Sequence, residues 1–164
     1  MKIISIDPGG TTGWATFQLT FIGNDPKWSP ILADHFIRYG HLGPGDHHND
    51  LNDVLIEERP DLIIYERFEH RNNEFAQLTS VEYIGVIKQY QQQRDKCKIE
   101  SQGASQALPW SDDKKMEHLD ILITPPLTWR HANDARRHLL YTLATRSRSA
   151  KIRRHVLEQF KSME

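Results

Sequence analysis

The first nineteen residues constrain the fold more than any other part of the chain. Residues 2–7 are rich in isoleucine and run into Pro8-Gly9-Gly10, a turn sequence that no regular element tolerates. Residues 13–19 again have the composition of a strand. The pattern therefore predicts a buried strand that ends at Asp7, a turn across residues 8–12, and a second strand antiparallel to the first.

Alternating helices and strands are predicted along the rest of the chain. Residues 23–30 have the composition of a loop, and residues 31–39 alternate enough for a third strand before Gly40 ends it. Residues 62–65 are wholly apolar, which is typical of a central strand covered on both faces. The elements predicted from apolar spacing are helices at 46–59, 73–94, 132–145 and 149–163, a partly helical segment at 102–119, and a strand at 96–100. This order predicts an α/β domain with a mixed sheet.

The size and composition of the chain limit its class. Its 164 residues suit one domain over residues 1–164, and a hydrophobic content of 38% is enough for a substantial core. Cys97 is the only cysteine, which excludes an intramolecular disulfide or a cysteine zinc cluster and predicts a reducing compartment. No apolar run approaches the roughly 18–20 residues of a membrane span, and no signal-peptide core follows Met1. We therefore expect a soluble, cytoplasmic protein.

Acidic and basic side chains are unevenly distributed. The net charge of −1 by itself argues against a dedicated nucleic-acid binder. Residues 1–69, however, contain eleven acidic and five basic side chains, whereas residues 130–154 contain eight basic side chains and one acid, Asp134. This gradient is either a footprint for a polyanion or the ordinary solvation of arginine-rich helices.

Three segments carry residue types suited to chemistry. Asp7 lies beside a glycine-rich turn that lets a phosphate approach the backbone, although the same sequence suits a turn-capping aspartate. Glu66 ends the apolar strand and meets Asp7 if the two strands are neighbours; the alternative is a surface ion pair. His131 and Asp134 lie three residues apart on one helix face, a spacing suited to one metal ion or to a simple first-turn acid.

A metal ion is the expected companion of such carboxylates. Carboxylates brought together without cations repel one another, and a divalent ion is the usual compensation. Mg²⁺ prefers oxygen ligands and keeps positions open for phosphate oxygens. A pair of such ions activates water and stabilises the departing 3′ oxygen, so these residues favour phosphodiester cleavage.

Three motifs together resemble a known family. They are Ile6-Asp7-Pro8-Gly9-Gly10-Thr11-Thr12-Gly13-Trp14, Leu62-Ile63-Ile64-Tyr65-Glu66 and His131-Ala132-Asn133-Asp134-Ala135. In this order they resemble the RuvC-like Holliday junction resolvases of the ribonuclease H superfamily, in the compact form found in bacteriophages and prophages. Residues 98–115 are similar to the family's fifth strand and following helix. The loop at 20–30 and the basic helix at 149–163 have no counterpart in this pattern.

The resemblance implies a ribonuclease H-like fold, with a five-stranded mixed sheet of three antiparallel plus two parallel strands flanked by helices. It also implies that Asp7, Glu66 and Asp134 bind metal and that His131 is a ligand or assists proton transfer. The implied cofactor is Mg²⁺, as two ions that Mn²⁺ can replace, and the implied activity is the hydrolysis of branched DNA.

The resemblance also gives the basic side chains a role. Those around the last ligand are predicted to bind DNA phosphates, and they are Lys114, Lys115, Arg130, Arg136 and Arg137. Because branched DNA has two-fold symmetry, a homodimer with two active sites is expected. The helix at 73–94 is its predicted interface, unless the apolar stripe is used in packing on its own sheet.

Three other functions are alternatives. The same fold suits a flap or fork nuclease or a ribonuclease, which a comparison of substrates separates. A nucleotide-binding module of the actin and sugar-kinase type also has an Asp-x-Gly-x-Thr loop, but it needs a second lobe for which 164 residues leave no room. A non-catalytic nucleic-acid-binding relative is disfavoured because all the candidate ligands are present.

Overall fold

The computed structural model describes residues 1–23, 25–27, 29, 31–43, 48–68, 78–108 and 110–161. Within these residues the strands are β1 (Lys2–Asp7), β2 (Thr12–Gln18), β3 (Thr20–Ile22), β4 (Asp25–Lys27), β5 (Phe36–Leu42), β6 (Leu62–Glu66) and β7 (Lys98–Gln102). The α-helices are α1 (His48–Glu58), α2 (Thr79–Gln92), α3 (Ala104–Ala107), α4 (Asp113–His118), α5 (Arg130–Tyr141) and α6 (Ala150–Lys161). A 3-10 helix (Leu32–His35) precedes β5, and a π-helical turn (Thr142–Arg146) continues α5.

Five strands form one mixed sheet in the order β5-β2-β1-β6-β7. β1 pairs antiparallel with β2, and β2 pairs antiparallel with β5. β1 and β6 are parallel, as are β6 and β7. The sheet confirms the predicted α/β fold with three antiparallel strands followed by two parallel ones.

Each face of the sheet packs against its own apolar core. Ile3 and Ile64 belong to the core that contains α5 and α6, whereas Ile4 belongs to the core that contains α1 and α2. Successive side chains of a strand point to opposite faces. Asp7 therefore lies on the same face as Ile3, and Glu66 on the same face as Ile64, so both carboxylates are directed toward α5.

The third strand differs from its prediction at both ends. It begins at Phe36 because Leu32–His35 form a 3-10 helix instead, from which Leu32 enters the core. It also continues through Gly40, which was predicted to end it. The indole of Trp14 packs over Gly40, where a Cβ would lie 2.8 Å from the ring, so the glycine makes room for a cross-strand partner.

The loop predicted at 23–30 is partly regular, because β4 pairs antiparallel with β3. The predictions for Trp28 and for the first turn of the helix at 73–94 fall on residues outside the described ranges. The basic helix predicted at 149–163 is present as α6, and its Ile152 and Val156 are buried in the core. Among the helices described, none is long and apolar enough to cross a membrane.

Candidate active site

The carboxyl ends of β1 and β6 meet the first turns of α5 at one cavity. The two strands are parallel with Ile6 opposite Tyr65, so the residues that follow, Asp7 and Glu66, lie at the same edge of the sheet. The cavity has a volume of about 550 Å³. Its lining includes the four residues singled out in the sequence, Asp7, Glu66, His131 and Asp134.

Gly13 allows α5 to approach the end of β1. It pairs with Asp7 in the β1–β2 hairpin, and a Cβ at this position would lie only 2.0 Å from the backbone carbonyl carbon of His131. Any side chain at Gly13 would therefore displace the start of the helix. The glycine of the hairpin thus determines how close His131 comes to Asp7.

Asn133 fixes α5 from its buried side. Its Oδ1 accepts a hydrogen bond of 2.9 Å from the backbone N–H of Ile123, and its Nδ2 donates one of 3.0 Å to the carbonyl oxygen of the same residue. The amide therefore satisfies both backbone groups of a buried residue. This anchor leaves His131 and Asp134, on either side of Asn133 in the sequence, directed toward the cavity.

Asp7, His131 and Asp134 form a cluster suited to hold a divalent cation. The Nδ1 of His131 lies 2.7 Å from the Oδ2 of Asp7. One ligand atom from each of the three residues lies within 4.8 Å of the others. Carboxylate oxygens and imidazole nitrogens are ligands for divalent cations, so the donor set fits such an ion.

The surroundings of Asp7 and His131 shift their pKa values. Burial raises the pKa of the Asp7 carboxyl, the hydrogen bond with His131 opposes that shift, and the negative charges of Glu66 and Asp134 add to it. The hydrogen bond with Asp7 raises the pKa of the His131 imidazole, and burial opposes this. Both groups therefore hold a proton to higher pH than isolated side chains do.

Glu66 reaches the cavity with one of its oxygens engaged. Its Oε2 lies 3.0 Å from the Nε2 of His138, and the carboxylate is not part of the 4.8 Å cluster found among the described residues. His138 lines the same cavity, and the sequence reasoning missed it. His131, Asp134 and His138 are spaced by three and then four residues, which places all three on one helix face. This spacing was the signal in the sequence that His138 faces the same cavity.

Arg137 joins the cluster to α4. Its guanidinium forms ion pairs with both Asp134 and Asp113, and its Nε donates to the carbonyl oxygen of Ser111 at 2.9 Å. The side chain is only 10% exposed. Arg137, which was predicted to contact DNA, lines the cavity, and its ion pair orients the Asp134 carboxylate.

Arg136 lies inside the protein, which corrects its prediction as a DNA-binding residue. The residue is 7% exposed, and its guanidinium donates to the carbonyl oxygen of Ile121. It lies 4.9 Å from the ring centroid of Tyr39 and 5.2 Å from that of Phe36. Burial lowers the pKa of Arg136 to about 10. A cation in this position supports the core and does not face a phosphate.

The other predicted DNA-binding residues lie nearer the surface. Arg130 lines the cavity with a side chain that is 75% exposed, and its Nε is 4.0 Å from an Asp134 oxygen. Lys114 is exposed and Lys115 half-buried on α4, whose first residue, Asp113, also lines the cavity. An exposed cation, Arg130, thus lies beside the acidic residues of the cavity.

Comparison with known proteins gives structural likenesses only. No protein-family model matches the chain, and no curated protein is similar to it in sequence. Thermus thermophilus RuvC is similar with a TM-score of 0.56 and 16% identity, over 87% of this chain and 95% of that chain. T. thermophilus RuvC in complex with a Holliday junction substrate is similar with a TM-score of 0.54 and 12% identity, over 86% and 92% of the two chains.

The fowlpox virus Holliday junction resolvase is similar with a TM-score of 0.50 and 17% identity, over 86% of this chain and 94% of that chain. At such low identities the likeness concerns the course of the backbone. The chain therefore has a RuvC-like fold, as the sequence motifs predicted.

Proposed function

We propose that this protein is a metal-dependent endonuclease that hydrolyses phosphodiester bonds in branched DNA, with the Holliday junction as its substrate. The cluster of Asp7, His131 and Asp134 at the edge of a RuvC-like sheet carries this proposal. Two of the structurally similar proteins are Holliday junction resolvases by name or by bound substrate. A cavity beside exposed cations suits a phosphate backbone.

Two Mg²⁺ ions, which Mn²⁺ can replace, are the proposed cofactors. Asp7, Asp134 and His131 would hold one ion, and Glu66 would contribute to holding the second. When bound, such ions polarise the phosphate and make water a stronger nucleophile at neutral pH. His131 contributes an imidazole nitrogen, either as a ligand or as the acceptor of the proton that the attacking water loses.

Arg130, Lys114 and Lys115 are proposed to bind the phosphates that flank the cleaved bond. Arg130 lines a cavity whose centre is acidic, and Lys114 and Lys115 follow Asp113, which also lines it, on α4. These cations attract the DNA backbone while the carboxylates keep their ligand role. Arg137 keeps the Asp134 carboxylate in place through its ion pair. The burial of Arg137 and Asn133 makes this arrangement rigid.

The experiment that tests the function compares substrates and one conservative variant. The wild-type protein is incubated with Mg²⁺ and a four-way junction, a flap, a linear duplex or an RNA–DNA hybrid, and the products are resolved on a gel. We expect the junction to be cut most efficiently. Preferential cutting of the flap or the hybrid would instead establish the flap nuclease or ribonuclease alternative.

Asp7→Asn keeps the size of the side chain but removes its charge. We expect it to lower cleavage of the junction by roughly a thousandfold or more, because a charged metal ligand is lost, while junction binding stays measurable. Unimpaired cutting by this variant would remove the hypothesis. Failure of the folded wild-type protein to bind Mg²⁺ or Mn²⁺ would favour a non-catalytic DNA-binding protein.

A further inference from the structure

A hydrogen-bonded series runs from the cavity into the interior of the protein. The Oε2 of Glu66 lies 3.0 Å from the Nε2 of His138, and the Nδ1 of His138 lies 2.9 Å from the Oε1 of Gln102. The Nε2 of Gln102 then donates to the hydroxyl oxygen of Thr142. Each of His138, Gln102 and Thr142 is at most 3% exposed, so these groups depend on one another for partners.

The fold brings this series together from β6, β7, α5 and the π-helical turn that continues α5. Glu66 ends β6 and stands opposite Gln102, the last residue of β7, in the parallel pairing. His138 lies on α5, seven residues after His131, and Thr142 begins the π-helical turn. The helix therefore presents the metal cluster at its first turn and the support of Glu66 two turns later.

We infer that His138 is a positioning residue for the Glu66 carboxylate, and that Gln102 and Thr142 fix the imidazole of His138. The inference rests on the proposed function, in which Glu66 binds the second metal ion. One Glu66 oxygen is held by the imidazole, which leaves the other for a cation in the cavity. A ligand held in this way needs no reorganisation when the ion binds.

Gln102 is chemically suited to this role. The end of a glutamine carries both a hydrogen-bond donor and an acceptor, so it can satisfy Nδ1 of His138 whether or not that nitrogen carries the hydrogen. The hydroxyl of Thr142 likewise donates or accepts. The imidazole donates to Glu66 only when Nε2 carries a hydrogen, and Gln102 permits this by donating to Nδ1 when that nitrogen has none.

A purely structural role for His138 is the competing explanation, and metal binding separates the two. His138→Leu fills a similar volume but cannot bond to Glu66, whereas His138→Gln restores a donor at the end of a side chain of similar length. Binding of Mn²⁺ alone is measured by titration calorimetry on the DNA-free protein, alongside thermal unfolding and the steady-state cleavage of a four-way junction.

We expect His138→Leu to weaken Mn²⁺ binding by about 10–100-fold, as the loss of a partner behind a metal ligand usually does. His138→Gln is expected to recover at least part of that affinity. The cleavage defect of His138→Leu should appear in kcat, with KM for the junction nearly unchanged, because His138 lies behind Glu66 and away from the surface.

Leu139→Ala is the matched control, since Leu139 is a fully buried neighbour that belongs to the apolar core. It should lower the unfolding temperature and leave Mn²⁺ affinity unchanged. If His138→Leu does not fold, Gln102→Leu tests the same support from the other side of the ring and should weaken Mn²⁺ binding in the same direction.

Folded His138→Leu protein with Mn²⁺ affinity within twofold of the wild type would overturn the inference, as would wild-type protein that binds no Mn²⁺. The proposed function fails separately. Wild-type protein that binds Mn²⁺ but cuts no junction contradicts the nuclease, while a weakened His138→Leu still supports the positioning role. If the wild type cuts junctions and His138→Leu cuts them equally well, only the positioning role is contradicted.

Discussion

Asp7 and His131 share a short hydrogen bond. A proton on the Asp7 carboxyl or on the His131 ligand nitrogen opposes the binding of a cation. The Nδ1 of His131 and the Oδ2 of Asp7 are 2.7 Å apart. Burial, the largest cause, raises the pKa of Asp7, and the hydrogen bond raises the pKa of His131 above its ordinary value of 6.5. A cation that takes Asp7 and His131 as ligands must displace these protons.

We therefore expect Mn²⁺ affinity to rise with pH. Because each displaced proton costs up to tenfold in affinity per pH unit below its pKa, affinity should fall by about tenfold or more between about pH 7.5 and about pH 5.5. Titration of Mn²⁺ into DNA-free protein at several pH values measures this. His131→Asn should show a shallower dependence, and an affinity that is constant over this range would contradict the assignment of these ligands.

Arg130 and Arg136 illustrate two roles of arginine on one helix. Arg130→Ala should weaken junction binding and reduce the slope of log affinity against log salt concentration by about 0.9, because one phosphate contact is lost. Arg136→Ala should leave that slope unchanged and lower the free energy of unfolding by about 2–4 kcal/mol, because Ile121 loses a buried donor and a cavity forms. Equal salt slopes for the two variants would contradict this division.

At the scale of elements, the hairpin of β1 and β2 sets the position of α5. A Cβ at Gly13 would lie 2.0 Å from the backbone carbon of His131, a contact that no side-chain rotation relieves. The start of α5 must move away if Gly13 is substituted, and His131 and Asp134 move with it. The packing of α5 on β2 therefore determines the geometry of the proposed metal site.

Gly13→Ala is expected to lower the free energy of unfolding by about 1–3 kcal/mol or more and to weaken Mn²⁺ binding at least tenfold. Gly85→Ala is the control, because a Cβ at this position in α2 meets nothing within 4 Å. It should raise stability by up to about 1 kcal/mol and leave metal binding unchanged. Calorimetric unfolding and Mn²⁺ titration of both variants test this, and normal Mn²⁺ binding by Gly13→Ala would contradict the role of Gly13.

The sequence predicted those elements whose signals are local. The isoleucines of β1, the glycines of the turn after it and the apolar run of β6 can each be recognised within a few residues. The two strands end at Asp7 and Glu66. Gly40 misled the prediction because its function is to receive the ring of Trp14, which no local pattern records. The burial of Arg136 and the contact of His138 with Glu66 likewise depend on tertiary neighbours.

At the scale of the whole molecule, the two-fold symmetry of branched DNA calls for two active sites. We therefore propose a homodimer, with α2 as its interface. Tyr83, Ile87 and Tyr90 of α2 are buried in the chain's own core, but Leu78 and Val81 are 62% and 45% exposed at its first turn. The exposed end of the helix is the part available to a second copy.

Val81→Glu is expected to convert the dimer to a monomer, because two charged side chains would meet in an apolar contact. Light scattering coupled to size-exclusion chromatography measures the mass. The monomeric variant should retain Mn²⁺ binding and lose paired cleavage of opposed junction strands. Lys88→Glu, which changes an exposed charge on the same helix, is the control and should stay dimeric. A wild-type protein that is monomeric both with and without junction DNA would contradict the proposal.

The same hydrogen bond between Asp7 and His131 also bears on the order in which the ribosome makes this chain. Its two partners are 124 positions apart, so Asp7 and Glu66 leave the ribosome well before His131 and Asp134 are added. A nascent chain carries half of a metal centre and no α5 to complete it. The proposed nuclease can therefore acquire its activity only after α5 has been synthesised and has left the ribosome.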